Sequence, residues 1–146
     1  MITGLSRKEE LRRKTLSDSA RAVIMKALPI ESEDETCVML EHDDFYLQIA
    51  FSPLHPLMVF YLARSLDKPG TKKELLSLND FNLKSVLGSH AINNEVGCYS
   101  FRAAHWLETE LTEKRFFEIL GRCIEEAQRA YFQLTAARQP QSNGGT

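Results

Sequence analysis

Along residues 6–28 the apolar side chains Leu11, Leu16, Ala20, Val23, Ile24, Ala27 and Leu28 recur at spacings near three and four. That period gathers them on one face of a helix and leaves a basic face opposite. Pro29 cannot continue the helix, and Ser32, Glu33, Asp34 and Glu35 read as an exposed connection. The period then changes to two. Residues 36–40 and 45–51 are rich in β-branched and aromatic types, with Phe45, Leu47, Ile49 and Phe51 on one face and Tyr46, Gln48 and Ala50 on the other. This is the pattern of a half-buried antiparallel strand, and His42, Asp43 and Asp44 between the runs form a hairpin loop. Residues 57–66 satisfy either period. Pro53 and Pro56 before them, and Val59, Phe60 and Tyr61 within, decide for a third strand.

Lys68, Pro69 and Gly70 break the pattern. Thr71 with Glu74 three residues later is a capping box, and it opens a helix carrying Leu75, Leu76, Leu78 and Leu83, extending toward Val86 and Leu87 and stopping at Gly88. Strands at residues 89–92 and 97–104 follow, joined through Asn93, Asn94 and Glu95. A last helix starts near Thr112 and lines up Phe116, Phe117, Leu120, Cys123, Ile124, Ala127, Tyr131 and Leu134. The expected fold is α+β, a single antiparallel sheet of about five strands flanked by helices, in the order α-β-β-β-α-β-β-α. Residues 1–134 form one domain, and the Gln, Pro, Ser, Asn and Gly content of residues 135–146 predicts a flexible tail.

At 146 residues the chain buries a sizeable core without a metal or disulfide staple. Its 43% hydrophobic and 26% charged residues match ordinary globular usage. No apolar run approaches the roughly 20 residues that span a bilayer, and Arg7, Lys8, Glu9 and Glu10 stand where a signal peptide would be apolar, so the cytoplasm is the expected compartment. Cys37, Cys98 and Cys123 are odd in number, widely spaced and set among apolar residues, which fits reduced, packed thiols. The net charge of −2 conceals a basic first helix (Arg7, Lys8, Arg12, Arg13, Lys14) followed by an acidic stretch (Glu31, Glu33, Asp34, Glu35, Glu41, Asp43, Asp44). Nucleic-acid binding would need more basic residues and interleaved exposed aromatics, and it is not expected.

Candidate chemistry is sparse. Cys98, His105 and Glu108 are the nearest approach to a nucleophilic triad, but seven residues of extended chain hold the first two more than about 20 Å apart. His42, Asp43 and Asp44 near Cys37 lack paired metal-ligand spacing. His55 and His90 read as loop or strand-edge residues. Glycines are scattered, without a phosphate-binding pattern, so no cofactor is expected. Asn79 and Asn82 are expected to tie down neighbouring loops through their amides.

What remains is surface. Phe45, Leu47, Phe51, Met58, Phe60, Tyr99 and Phe101 exceed what one short sheet face needs unless helices cover it fully, and Trp106 and Leu107 extend the patch. The order Leu75-Leu76-x-Leu78-Asn79-x-x-Asn82, then Gly88 to a strand, then Gly97 and a strand, then Thr112-Glu113 opening a long helix, resembles the YbjN-like family. It also resembles the related type III secretion chaperone fold. The first 70 residues follow by element order alone. The resemblance implies a small non-catalytic α+β protein. Secretion chaperones are cytoplasmic homodimers that hold an effector segment on apolar patches by strand addition and helix-in-groove capture, and YbjN-like proteins are described as regulators of sensory transduction. The mild net charge departs from the markedly acidic chaperones and favours the YbjN-like side. The expectation is a homodimeric protein-binding module, with Phe45, Leu47, Phe60, Tyr99, Phe101 and Trp106 as the partner or dimer surface. An effector chaperone, a small enzyme dependent on Cys98 or His105, and a nucleic-acid binder using Arg7, Lys8, Arg12, Arg13 and Lys14 are the alternatives.

Overall fold

In the computed structural model, which describes Gly4 and residues 6–52, 55–136 and 138, helix α1 (Arg7–Ala27) opens where Ser6 accepts a hydrogen bond from the Glu9 N–H at 3.1 Å. A short polar N-cap of this kind satisfies a donor that the first turn leaves free. Strands β1 (Ser32–Glu33), β2 (Cys37–His42), β3 (Phe45–Phe51) and β4 (Leu57–Ser65) follow, then α2 (Lys72–Lys84), β5 (Ser89–Asn93), β6 (Cys98–Trp106) and α3 (Glu113–Ala136). The capping box at Thr71 and Glu74 is present, and Thr112 accepts from the Arg115 N–H at the start of α3.

All strand pairs are antiparallel, in the order β1-β2-β3-β4-β6-β5. The sheet therefore has six strands rather than five. The extra one, Ser32–Glu33, lies in the stretch read as a connection: two exposed residues are too few to show a period. Asp43 and Asp44 both have positive φ, 49° and 68°, the geometry of a tight two-residue hairpin whose twist matches its strands.

The strand alternation decides what is core. Phe45, Leu47 and Ile49 on β3, Met58, Phe60 and Leu62 on β4, and Tyr99 and Phe101 on β6 share one face and are wholly buried. Leu16, Ala20 and Ile24 of α1 and Phe116, Leu120, Cys123 and Ala127 of α3 close over that face. Phe60 stacks on Phe116 at 6.0 Å between ring centroids. Burying each such side chain contributes about 1.5–3 kcal/mol.

Helix α2 is shorter than expected. It ends at Lys84, with Ser85 as C-cap, and of its leucines only Leu78 is buried. Gly88 does not stop the helix. It lets the chain pass close to β6: a Cβ there would lie 2.2 Å from the Arg102 carbonyl oxygen and 2.7 Å from the Phe101 ring. Of the stretch expected as a tail, Thr135 and Ala136 belong to α3 and Arg138 is pinned, while residues 137 and 139–146 lie outside the described residues.

Candidate partner-binding surfaces

Five of the six residues expected at a contact surface lie inside the fold. Phe45, Leu47, Phe60, Tyr99 and Phe101 have no exposed area, because each points to the sheet face that α1 and α3 cover. The apolar excess on that face is absorbed by the two long helices. Trp106 is different: it stands on the opposite face, 63% exposed.

That opposite face has no buried row comparable to the first. Outward from β4 point Leu57, Val59, Tyr61 and Ala63, all half-buried and three of them aliphatic. An antiparallel sheet with one wet face ordinarily alternates to polar residues there, so an apolar outward row on a central strand departs from the pattern. The register sets Val59 between Ala50 of β3 and Ala104 of β6, and places Leu57 beside Trp106. Tyr61 lies between Gln48 and Arg102, and its ring meets Tyr46 edge-on at 6.5 Å. The small residues Ala50 and Ala104 thus flank Val59 as a low row, between an aromatic row at Tyr61 and a second at Trp106. The His55 ring packs edge-on against Trp106 at 6.4 Å.

A second apolar surface runs along the outside of α2. Leu75, Leu76, Leu83 and Val86 are exposed, Leu83 to 77% and Val86 to 102%. Spacings of three and four put Leu76, Asn79 and Leu83 in one stripe, and Val86 follows just beyond the C-cap Ser85. The inner side of the helix is occupied by Glu74, Leu78 and Phe81.

Buried polar groups secure α2 at both ends. Arg138 grips Glu74 with two hydrogen bonds of 2.6 Å and donates to the carbonyls of Lys68 and Pro69 at 2.7 and 2.8 Å. The Arg138 guanidinium, with the Thr71 N–H, holds the Glu74 carboxyl below the usual carboxylate range. At the other end Ser85 donates to Glu126 Oε1 at 2.8 Å. That oxygen stands 3.7 Å from His90 Nε2, and His90 Nδ1 lies 2.7 Å from the Tyr99 hydroxyl. Burial pulls the His90 pKa down and pushes the Tyr99 hydroxyl up. Asn82 behaves as its sequence position suggested, but at the backbone of β5: its Oδ1 accepts from the His90 N–H at 2.7 Å and its Nδ2 donates to the His90 carbonyl at 3.0 Å.

The arrangement does little for catalysis. Cys98 and His105 sit on one continuous strand, seven residues apart and on opposite faces of the sheet. His105 packs its ring against Phe60 at 5.7 Å. Burial pushes the Cys123 thiol up to about 12 and raises that of Cys37, the reverse of what activates a nucleophile. Among the described residues no group of three or more His, Cys, Asp or Glu could hold a metal ion, the His42, Asp43 and Asp44 tip included. No helix among them is long and apolar enough to cross a membrane. A shallow notch of about 250 Å³ lies between that tip and α3, where Phe117, Gly121 and Ile124 line it.

Sequence reasoning missed the roles of His90, Glu126 and Arg138, since their partners lie on other elements. The α2 leucines were visible in the sequence, but no contact surface was assigned to them.

No protein-family model matches the chain, and no curated protein matches it in sequence. Solved structures do. YbjN from E. coli aligns with a TM-score of 0.64 at 12% identity, over 83% of this chain and 92% of that one. The HopA1–SchA chaperone–effector complex aligns at 0.57 and 16%, over 86% and 97%. The Yersinia pestis type III secretion chaperone SycH, in complex with a fragment of YscM2, aligns at 0.56 and 13%, over 79% and 98%. At these identities the likeness concerns architecture: the chain has the fold shared by YbjN and the type III secretion chaperones.

Proposed function

We propose that this chain is a non-catalytic, cytoplasmic polypeptide-binding module that works as a homodimer. The observation that carries the reading is the outward apolar row of β4, continued by Ala50, Ala104 and the exposed Trp106. Burying such a patch is favourable at roughly 25 cal/mol per Å², and the low Ala–Val–Ala row between two aromatic rows suits the side chains of an apolar segment. The α2 stripe serves the second copy. Leu76 and Leu83 form the ridge that pairs with itself about a two-fold axis, with the exposed Val86 beyond its end. A regulator of the YbjN kind is the first form of this reading. The second, an effector chaperone, is supported by the likeness to HopA1–SchA, a chaperone–effector complex.

Light scattering over a concentration series tests the dimer. The wild-type chain is expected to be a dimer and Leu76→Asp/Leu83→Asp a folded monomer. A wild-type chain that is monomeric at every concentration would sink that part. For the sheet face, a photo-crosslinking residue at Ala104 should trap a polypeptide in cells, and one at the exposed Glu118 of α3 should not. Equal trapping at both positions, or none at Ala104, would overturn the assignment of the face.

A further inference from the structure

Strand addition to a sheet needs an edge whose outward N–H and C=O groups are free. At both edges of this sheet the chain's own groups take a large part of them. On the β5 edge, His90 directs its N–H and its carbonyl away from β6, and the Asn82 carboxamide takes both. A carboxamide has the donor and acceptor of a peptide unit, so Asn82 stands in for one residue of a missing seventh strand. Further along, Gly70 lies against Ile92, close enough that a Cβ would sit 3.0 Å from that side chain, and its N–H donates to Asn94 Oδ1 at 2.8 Å. The segment entering α2 therefore packs on the Ile92 side chain and crowds that end of the edge.

The opposite edge is closed by different chemistry. Along β2 the outward groups belong to Cys37, Met39 and Glu41. Asp34 accepts from the Cys37 N–H through Oδ1 at 2.9 Å and returns its own N–H to the Cys37 carbonyl at 3.0 Å. Glu31 repeats the device, donating its N–H to the Met39 carbonyl at 3.0 Å and accepting from the Glu41 N–H through Oε2 at 2.6 Å. Between them Ser32 and Glu33 pair with Met39 and Val38. The new outer edge is only these two residues long, it is acidic, and the Arg21 guanidinium takes the Asp34 and Glu35 carbonyls beyond it. Short, charged edges resist pairing with another chain.

We infer that both edges of the sheet are closed by the chain's own side chains, so that the partner is taken by its side chains on the sheet face and never as an added strand. The inference rests on the reading of this protein as a polypeptide-binding module. It corrects the mode of capture that the resemblance implied. The partner it fits is a segment presenting an apolar stripe, with its own backbone hydrogen bonds already satisfied, as in an amphipathic helix. Helices α1 and α3 make the same kind of contact on the other face.

The test uses the ¹⁵N-labelled full chain and a synthetic peptide with the sequence of residues 98–106, the strand that already complements β5 from inside. With the wild type, the amide signals of Cys37, Glu41 and His90 should not move on titration, and the His90 amide should exchange slowly with solvent. In Asn82→Ala the His90 amide should exchange roughly tenfold faster, the loss of one such hydrogen bond, and its signal should now respond to the peptide. Asn82→Asp keeps the acceptor, so it should retain His90 protection while freeing the carbonyl. Peptide-induced shifts at His90 in the wild type would overturn the inference, as would unchanged His90 exchange in Asn82→Ala. Neither result touches the polypeptide-binding reading, which fails separately if the Ala104 crosslinker traps nothing.

Discussion

Replacing Arg138 by Ala removes four hydrogen bonds at once: two to the Glu74 carboxylate and one each to the carbonyls of Lys68 and Pro69. The two side chains of the ion pair are only 17% and 10% exposed, so water screens them weakly. A hydrogen bond to a charged group contributes about 1.5–3 kcal/mol, and stripping the partner from a fully buried pair costs about 3–5 kcal/mol. Glu74 keeps the Thr71 N–H and can draw in water once Arg138 is gone, which places the expected loss at about 2–3 kcal/mol. For a chain of this size that lowers Tm by about 5–10 °C. The folded-state pKa of Glu74 lies below its unfolded value, so its contribution is present above the unfolded carboxylate pKa of about 4.3 and is lost as pH falls through the folded value. The gap between wild type and Arg138→Ala should therefore narrow in acid. Urea denaturation at neutral pH and at pH values stepping down through that window measures both, and Glu74→Gln with the double variant completes a cycle with a coupling of at least about 1 kcal/mol. A destabilisation under about 0.5 kcal/mol at neutral pH would refute the reasoning, since that is the scale of an exposed surface pair.

Gly88→Ala forces a Cβ into the Arg102 backbone and should cost at least about 2 kcal/mol in urea denaturation. Gly121→Ala, in the interior of α3 with nothing within 4 Å of the added Cβ, should instead stabilise by about 0.5–1 kcal/mol in the same assay. His90 and His105 are both held below their ordinary pKa by burial, so the unfolded chain takes up protons near pH 6.5 before the folded one does, and stability should decline as pH falls below that point. His105→Leu should flatten that decline in urea midpoints measured between pH 7.5 and 5.5. Replacing Asp43 and Asp44 by Asn and Gly, which accept positive φ more readily, should raise Tm by a few degrees, and no change would mean that the tip is unstrained.

The elements were legible because their periods are clean. Phe45, Leu47, Ile49 and Phe51 alternate without a fault, and Asp43-Asp44 marks the one place where that hairpin can turn. Alternation also separated the two faces of each strand. It could not say which face the helices would cover, and the larger apolar set drew the surface assignment to Phe45, Leu47, Phe60, Tyr99 and Phe101. Those residues are buried for the same reason that they looked conspicuous: they are the most favourable surface for α1 and α3 to cover. The weaker outward row of Leu57, Val59, Tyr61 and Ala63 was hidden in a run that fitted both periods. For helix α2 the spacing of leucines did not say which of them would be buried, since it lies along the sheet's edge and buries only a narrow strip around Leu78. Asn82 was legible as an amide that ties down its surroundings. Arg138 was not, because nothing local connects it to a carboxylate 64 residues earlier.

The strand order has a consequence for how the chain is made. β4 pairs with β6 rather than with the strand that follows it, and Ser65 waits for Cys98, 33 residues further on (98 − 65). At about 5–20 residues per second, the ribosome needs roughly 2–7 s to supply that partner. Through this interval the nascent chain holds Val59, Phe60 and Tyr61 on an open edge beside a finished β3, while α2 and the edge strand β5, which itself needs β6 to pair, are made. Codons slow to translate between residues 66 and 97 would lengthen the exposure and lower the folded yield without changing a single amino acid.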